Sequence, residues 1–259
     1  MVKQNLNTST TALKALRVLE AVAFASTSVS TSDVAASVDI DKAAVYRMLI
    51  TLVNAGYVVR DEKSKRYRLG YKVVSLSRNL LAENKISRLI RHTLEKISAA
   101  TEETVHYSVL DGNETVLVQR VKGKQLIAVD FQIGDRARMH CTAIGKVMLA
   151  FQNSRFIESI IDAGLPKFAS RTITHPDELQ KELQKIRSTG YAIDDHELSD
   201  DMRCIAVPIF EGGGSVQSGI SISGPDSRFD MTKLHQLKIP MMKSANKLSE
   251  QIGGSPWSS

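Results

Sequence analysis

The stretch DIDKAAVYRMLITLVNAGYV, Asp39 to Val58, decides how the first third of the chain folds. Asp39 suits a tight turn, and Asp41 is placed to cap a helix through its carboxylate. Val45, Leu49, Leu52 and Val53 recur at helical spacing and make one apolar stripe. Gly56 then closes the helix as its C′ residue. Upstream, TALKALRVLEAVAFA (Thr11–Ala25) carries Leu13, Leu16, Val18, Leu19, Val22 and Ala23 at the same spacing. Between the two, VSTSDVAASV offers Ser30 and Ser32 as N-caps and Asp33 in the first turn of a short helix. Downstream, YVVRDEKSKRYRLG turns through the polar tip DEKSK between Val58-Val59 and Tyr67-Leu69, which is a hairpin pattern. Helix, short helix, turn, helix and hairpin make a winged helix-turn-helix.

Charge singles out the same segment. Of the 259 residues, 1–82 carry 12 Lys+Arg and 6 Asp+Glu, while 83–259 carry 22 of each, so the whole net charge of +6 sits in the first third. A basic module on a neutral body suits a polyanion partner. A chance surface fluctuation, or a three-helix packing module that meets no nucleic acid, is the plainer alternative. If the module binds DNA, the second helix of the pair enters the major groove with its N-terminal side chains against base edges. Lys42, Ala43, Ala44, Tyr46 and Arg47 are the outward positions there. Lys42 and Arg47 reach phosphate or guanine, and Tyr46 meets a phosphate or a thymine methyl. On the wing, Lys63, Lys65, Arg66 and Arg68 suit phosphates.

Other classes lose ground on composition. Apolar residues are 42% and charged ones 24%, ordinary for a soluble globular protein. No apolar run reaches the length of a membrane span, and the N-terminus lacks a signal-peptide pattern. Two cysteines, Cys141 and Cys204, are too few for a disulfide scaffold, so a reducing cytoplasm is the expected location.

The neutral part reads as α+β. YKVVSLSRNLLAENKISRLIRHTLEKISAATEE is helical and broken near Glu83-Asn84, with Leu76, Leu80 and Leu81 suited to a linker helix against a partner chain. Strands are expected at Thr104–Leu110, Thr115–Val121 and Gln125–Phe131, with the turn DGNE between the first two. A helix follows from about Thr142 to Ala150, then two helices each ended by Gly, SRFIESIIDAG and PDELQKELQKIRSTG. CIAVPIF and VQSGISISG are strands around EGGG. A last helix holds Pro240, a candidate kink, and GGSPWSS reads as a frayed tail. Strands in an antiparallel meander with helices around them make an α+β domain.

MHCTAIGKVMLA (Met139–Ala150) sets His140 beside Cys141 and resembles an active site. A nucleophilic Cys141 needs a base within reach and a depressed pKa, yet neighbours in sequence point in different directions and no nucleophile signature surrounds it. His140, Cys141, Cys204 and DDHE (Asp194–Glu197) have no metal-ligand spacing, so neither catalytic residues, metal nor cofactor is expected. The alternative is an anion held by the helix start, where the N–H groups of Ala143, Ile144 and Gly145 are left without partners. Ser221 and Ser223, two apart in ISISG, project from one strand face.

These motifs carry a family resemblance. ALRVLE, VYRMLITLVNAGYV and YRLG, with MHCTAIGK, GYAIDD, RCIAVPIF and GISISGP, resemble the IclR family of bacterial transcriptional regulators along nearly the whole chain. Ala43-Ala44 departs from the small polar pair common in the family, as Asp41 does from its Pro or Ser, which shifts direct readout to Lys42, Tyr46 and Arg47. TAIGKVMLA, RTIT and RCIAVPIF are most similar to the subgroup that controls pectin breakdown in response to ketodeoxygluconate. The resemblance implies a GAF-like effector domain. It places effector contacts on the backbone of Ala143 and Ile144 and on Asp194, Cys204, Ser221 and Ser223, with Val129, Phe131 and Met202 as an apolar wall. His140 and Lys146 are then structural or peripheral.

The expected organisation is a DNA-binding domain over 1–70, a linker helix over 71–84, an effector-binding domain over 85–253 and a flexible tail over 254–259. The resemblance further implies a homodimer or homotetramer on a palindromic double-stranded operator, acting as a repressor of catabolic genes under a small keto or sugar acid, away from any membrane. A second domain that only oligomerises, or a Cys141-dependent enzyme, are the competing readings.

Overall fold

The computed structural model describes residues 8–81, 84–126 and 129–257. The chain divides into two compact units, Met1–Ala82 and Glu83–Ser259.

The first unit runs α1 (Thr10–Ala23), α2 (Thr31–Val38), α3 (Lys42–Asn54), β1 (Val58–Arg60), β2 (Tyr67–Leu69) and α4 (Lys72–Leu81). Its helix ends follow the local chemistry. Ser30 and Asp33 form a reciprocal capping box on α2, the arrangement that satisfies two orphan donors at once. Asp39 adopts a left-handed backbone, φ 52°, which turns the chain into α3. Asp41 accepts from the N–H of Ala43 and Ala44, both at 3.0 Å. Gly56, at φ 80°, ends α3. Val18, Val22, Val34, Val45, Leu49, Val58 and Tyr67 make the core. Leu13 and Leu16 do not join it; they are 44% and 54% exposed, because only the later turns of α1 lie over α2 and α3.

The second unit opens with α5 (Lys85–Thr101), capped by Asn84. Next come β3 (Val105–Asp111), β4 (Glu114–Val121), β5 (Arg136–Arg138), α6 (Ala143–Ala150), α7 (Ser154–Asp162), α8 (Pro176–Thr189), β6 (Ala192–Asp195), β7 (Met202–Phe210), β8 (Val216–Pro225) and α9 (Met231–Gln251). Six strands form one antiparallel sheet in the order β5-β4-β3-β8-β7-β6. It consists of two three-stranded meanders joined along β3 and β8. Strand alternation splits the core in two. Val105, Tyr107, Ile205, Val207, Ile220 and Ile222 face α5 and α9. Met202, Cys204 and Ala206 face α6 and its neighbours.

Two expectations change, that of a strand over Gln125–Phe131 and that of a frayed tail. Among the described residues of Gln125–Phe131 there is no strand; Ile127 and Ala128 lie outside the described residues. The third strand of that meander is β5, three residues from IGDRAR, whose charged alternation hid it. The last helix runs through Pro240 from Met231 to Gln251. The tail is not frayed as far as Trp257: its Nε1 donates to Arg187 O at 3.1 Å and its N–H to Asn246 at 3.2 Å. The indole lies over Gly190, where any Cβ would stand 2.5 Å from the ring. Among the described residues no helix is long and apolar enough to cross a membrane.

Candidate ligand pocket and nucleic-acid interface

A cavity of about 260 Å³ opens between the α6 face of the sheet and the start of α6. It is at the small end of ligand sites and suits a compact molecule. Directly paired residues of neighbouring strands share a face, so the register sets what lines it. One row runs Asp194, Cys204, Ser223. The next runs Ala206, Ser221, His106 and ends at Arg120. Phe131, Met202 and Leu198 supply apolar wall. Val129 packs on the same core but is not part of the cavity lining.

The start of α6 closes one side. Thr142 Oγ1 accepts from the N–H of Gly145 at 3.0 Å and donates to Arg138 O at 2.7 Å. Gly145 therefore does not offer the free donor expected of it. The N–H groups of Ala143 and Ile144 remain without partners among the described residues, at the positive end of the helix. Glycine is required at 145, since a Cβ would stand 2.4 Å from Arg138 O. Gly219 makes room in the same way: its missing Cβ would lie 2.9 Å from Ile144 Cδ1, so Ile144 seats on the sheet and narrows the cavity.

Beneath the cavity lies a buried charge cluster. Lys146 is fully buried. It donates to Glu197, to Ile193 O at 2.7 Å and to Glu182 at 3.5 Å. Its role is structural: it ties α6 to the segment after β6. Burial pushes the Glu197 carboxyl up to about 7, opposed by Lys146. Asp194 is fully buried; its Oδ1 accepts from the N–H of Glu197 at 2.8 Å and Leu198 at 3.4 Å. Oδ2 has no partner, and burial lifts this carboxyl to about 6. Cys204 stands against Asp194 and Ser223, and burial pushes its thiol far up. His140 is structural too, with Nε2 3.0 Å from Pro166 O.

Three features escaped the sequence reading. His106 is buried in the lining, with both ring nitrogens unpartnered. Ser108 sits two residues on, on the same face. At the rim, Arg136 bonds Asp111 at 2.7 Å and Glu114 at 2.8 Å, and Arg138 lies 3.6 Å from Glu114. The alternation in TVHYSVL, with His106 and Ser108 on one side and Val105, Tyr107 and Val109 on the other, was the available signal.

The competing reading of Cys141 as a nucleophile fails on its environment. The thiol is fully buried, and burial, with Asp194 and Glu197 adding to it, raises it to about 12. A nucleophilic thiol needs the opposite. Among the described residues no three His, Cys, Asp or Glu side chains gather as a metal site.

In the first unit, Lys42, Ala43, Tyr46 and Arg47 are exposed at the start of α3, and Ala44 is half-buried. Arg66, on the wing, is half-exposed. Its guanidinium bonds Ser28 O at 2.8 Å and Asp33 at 3.2 Å, holding the wing to α2. Lys65 lies at the wing tip, half-exposed and 3.1 Å from Glu62.

Over residues 78–250 the chain matches the family model of the bacterial transcriptional regulator IclR C-terminal, and over 11–62 the IclR helix-turn-helix domain. The chain belongs to the IclR family. It is 32% identical over 213 residues to the HTH-type transcriptional regulator KdgR of Escherichia coli, covering 82% of this chain and 81% of that one. The KdgR of Dickeya chrysanthemi is 32% identical, covering 82% and 70%. The crystal structure of Thermotoga maritima IclR superposes with a TM-score of 0.74 at 32% identity, covering 94% of this chain and 98% of that chain. IclR-family proteins are ligand-responsive regulators that bind DNA, not enzymes.

Proposed function

We propose that this IclR-family regulator is a cytoplasmic repressor of catabolic genes that releases its operator when a small keto or sugar acid fills the cavity of the second unit. One observation carries the reading: the N–H groups of Ala143 and Ile144, which have no hydrogen-bond partner among the described residues, share a mostly uncharged cavity with the unpartnered Oδ2 of Asp194. The N–H pair suits a carboxylate. Asp194 suits ligand hydroxyls, with Ser221, Ser223 and Cys204 beside it. Phe131 and Met202, backed by Val129, exclude water, and the subgroup resemblance favours ketodeoxygluconate as the acid. Lys42, Tyr46 and Arg47, with Ala43 and Ala44 against thymine methyls, read the operator. Lys65 meets phosphate, and Arg66 holds the wing that carries it. A homodimer or homotetramer on a palindrome sets recognition helices about 34 Å apart.

The test is a thermal-shift panel of organic acids on the full chain, followed by gel shifts on the adjoining promoter at several salt concentrations. Stabilisation by a keto or hydroxy acid, and its weakening of the gel shift, are the expected results. Stabilisation by no acid would favour a second unit that only oligomerises. No sequence-selective DNA binding would remove the regulator reading altogether.

A further inference from the structure

His106 stands in the middle of the sheet. It is 2% exposed, lines the cavity, and neither Nδ1 nor Nε2 has a hydrogen-bond partner. Its row neighbours explain why it stays unpaired. Ser221 is opposite it on β8 and Arg120 opposite it on β4. Arg120 bonds Phe131 O, and Asp130 at 3.0 Å, so the guanidinium fastens the segment whose Phe131 ring meets the imidazole edge-on, centroids 5.7 Å apart. Burial, reinforced by Arg120, holds His106 down at about 4. The ring is therefore neutral at physiological pH, with one donor and one acceptor.

A buried polar ring with nothing to bond destabilises the empty protein. Such groups are otherwise paired in folded proteins, and this one lines the cavity. We propose that His106 is a specificity-determining residue of the pocket, and that it selects an effector with a hydroxyl group remote from the end held at Asp194. A hydroxyl both donates and accepts, which matches a neutral imidazole. Asp194 on β6 and His106 on β3 are separated by three inter-strand steps, about 14 Å of sheet. Ser223 and Ser221 lie between them. A short keto acid engages only the N–H groups of Ala143 and Ile144, whereas an acid with a hydroxylated chain also reaches Asp194 and His106. The inference rests on the cavity being the effector site and adds to it the class of effector.

The test compares two probes sharing a 2-keto carboxylate: 2-keto-3-deoxygluconate, which carries a hydroxylated chain, and pyruvate, which does not. Binding of each to the full-length protein is measured by calorimetry for the wild type, His106→Phe, His106→Gln and Asp194→Asn. His106→Phe removes both nitrogens and keeps a ring. It should weaken the hydroxylated acid about tenfold or more and leave pyruvate as in the wild type. His106→Gln restores a donor and an acceptor and should recover part of the loss. The ligand-free His106→Phe protein should melt no lower than wild type, which separates lost recognition from a damaged fold. Unchanged affinity for the hydroxylated acid, or an equal loss for both acids, would overturn the inference. If Asp194→Asn weakens binding in those same cases, the cavity reading survives and only the role of His106 falls. If neither acid binds the wild type, both fall together.

Discussion

Asp194 carries a cost in the empty pocket that can be read from pH. Its carboxyl is raised from 3.8 to about 6 by burial, so the folded state holds this proton more tightly than the unfolded chain. That contribution to stability is complete below about pH 4 and is lost as pH rises through about 6. At neutral pH the ionised group therefore costs on the order of 3 kcal/mol. Asp194→Asn should gain about 2 kcal/mol of stability relative to wild type between pH 4.5 and 7.5, measured by denaturant unfolding at each pH. An identical difference at both would show that Asp194 is not held as described. His106 has the opposite sign: depressed to about 4, it contributes stability above about 6.5 that is lost as pH falls through about 4. Cys141, raised to about 12, should stay unmodified by a thiol reagent at pH 7.5 in the native protein. Modification as fast as in the unfolded chain would revive it as a nucleophile. Ser221 and Ser223 can be placed on one strand face from alternation, and Cys204 and Asp194 are put beside them by what the family resemblance implies. His106 is passed over because a histidine in a strand is usually a packed core residue; alternation puts it on one face with Ser108, and the register with Ser221 shows that this face lines the cavity.

At the scale of elements, the start of α6 is set by backbone crowding. Gly145→Ala would drive a methyl into Arg138 O, 2.4 Å away, and should destabilise the protein by about 2 kcal/mol or more despite alanine's better helix propensity. Unchanged thermal stability would mean that the α6 start is free to shift. Lys146→Met strands Glu197 in the core and should cost about 3–5 kcal/mol, with Glu197→Gln in the same chain recovering much of it. A double variant no more stable than the single one would contradict the ion pair. The winged module was legible almost residue by residue, because Ser30, Asp33, Asp39, Asp41 and Gly56 act on backbone groups within a few positions of themselves. The second unit was less so. Its pattern gave β3, β4, β7 and β8, but β5 is three residues whose pairing to Glu114–Val116 is a tertiary fact. The contact of Arg66 is hidden from the sequence for a related reason: Asp33, 33 positions away, is brought beside it only by the fold.

The molecule as a whole joins a basic reader to a neutral sensor, and each should fail separately. Lys42→Ala should weaken operator binding and reduce the slope of log affinity against log salt by about 1, without altering acid binding. The acid acts only through unequal affinity for the DNA-competent and DNA-incompetent states; moving the population from 1:99 to 99:1 requires about 5.5 kcal/mol of preference. The most direct measurement is operator affinity, by fluorescence anisotropy, of the wild type, Asp194→Ala and Ser221→Ala proteins with and without saturating 2-keto-3-deoxygluconate. The account predicts that the acid weakens wild-type binding at least tenfold, while both variants hold the operator as tightly as wild type and do not respond. A normal response in both variants would contradict it.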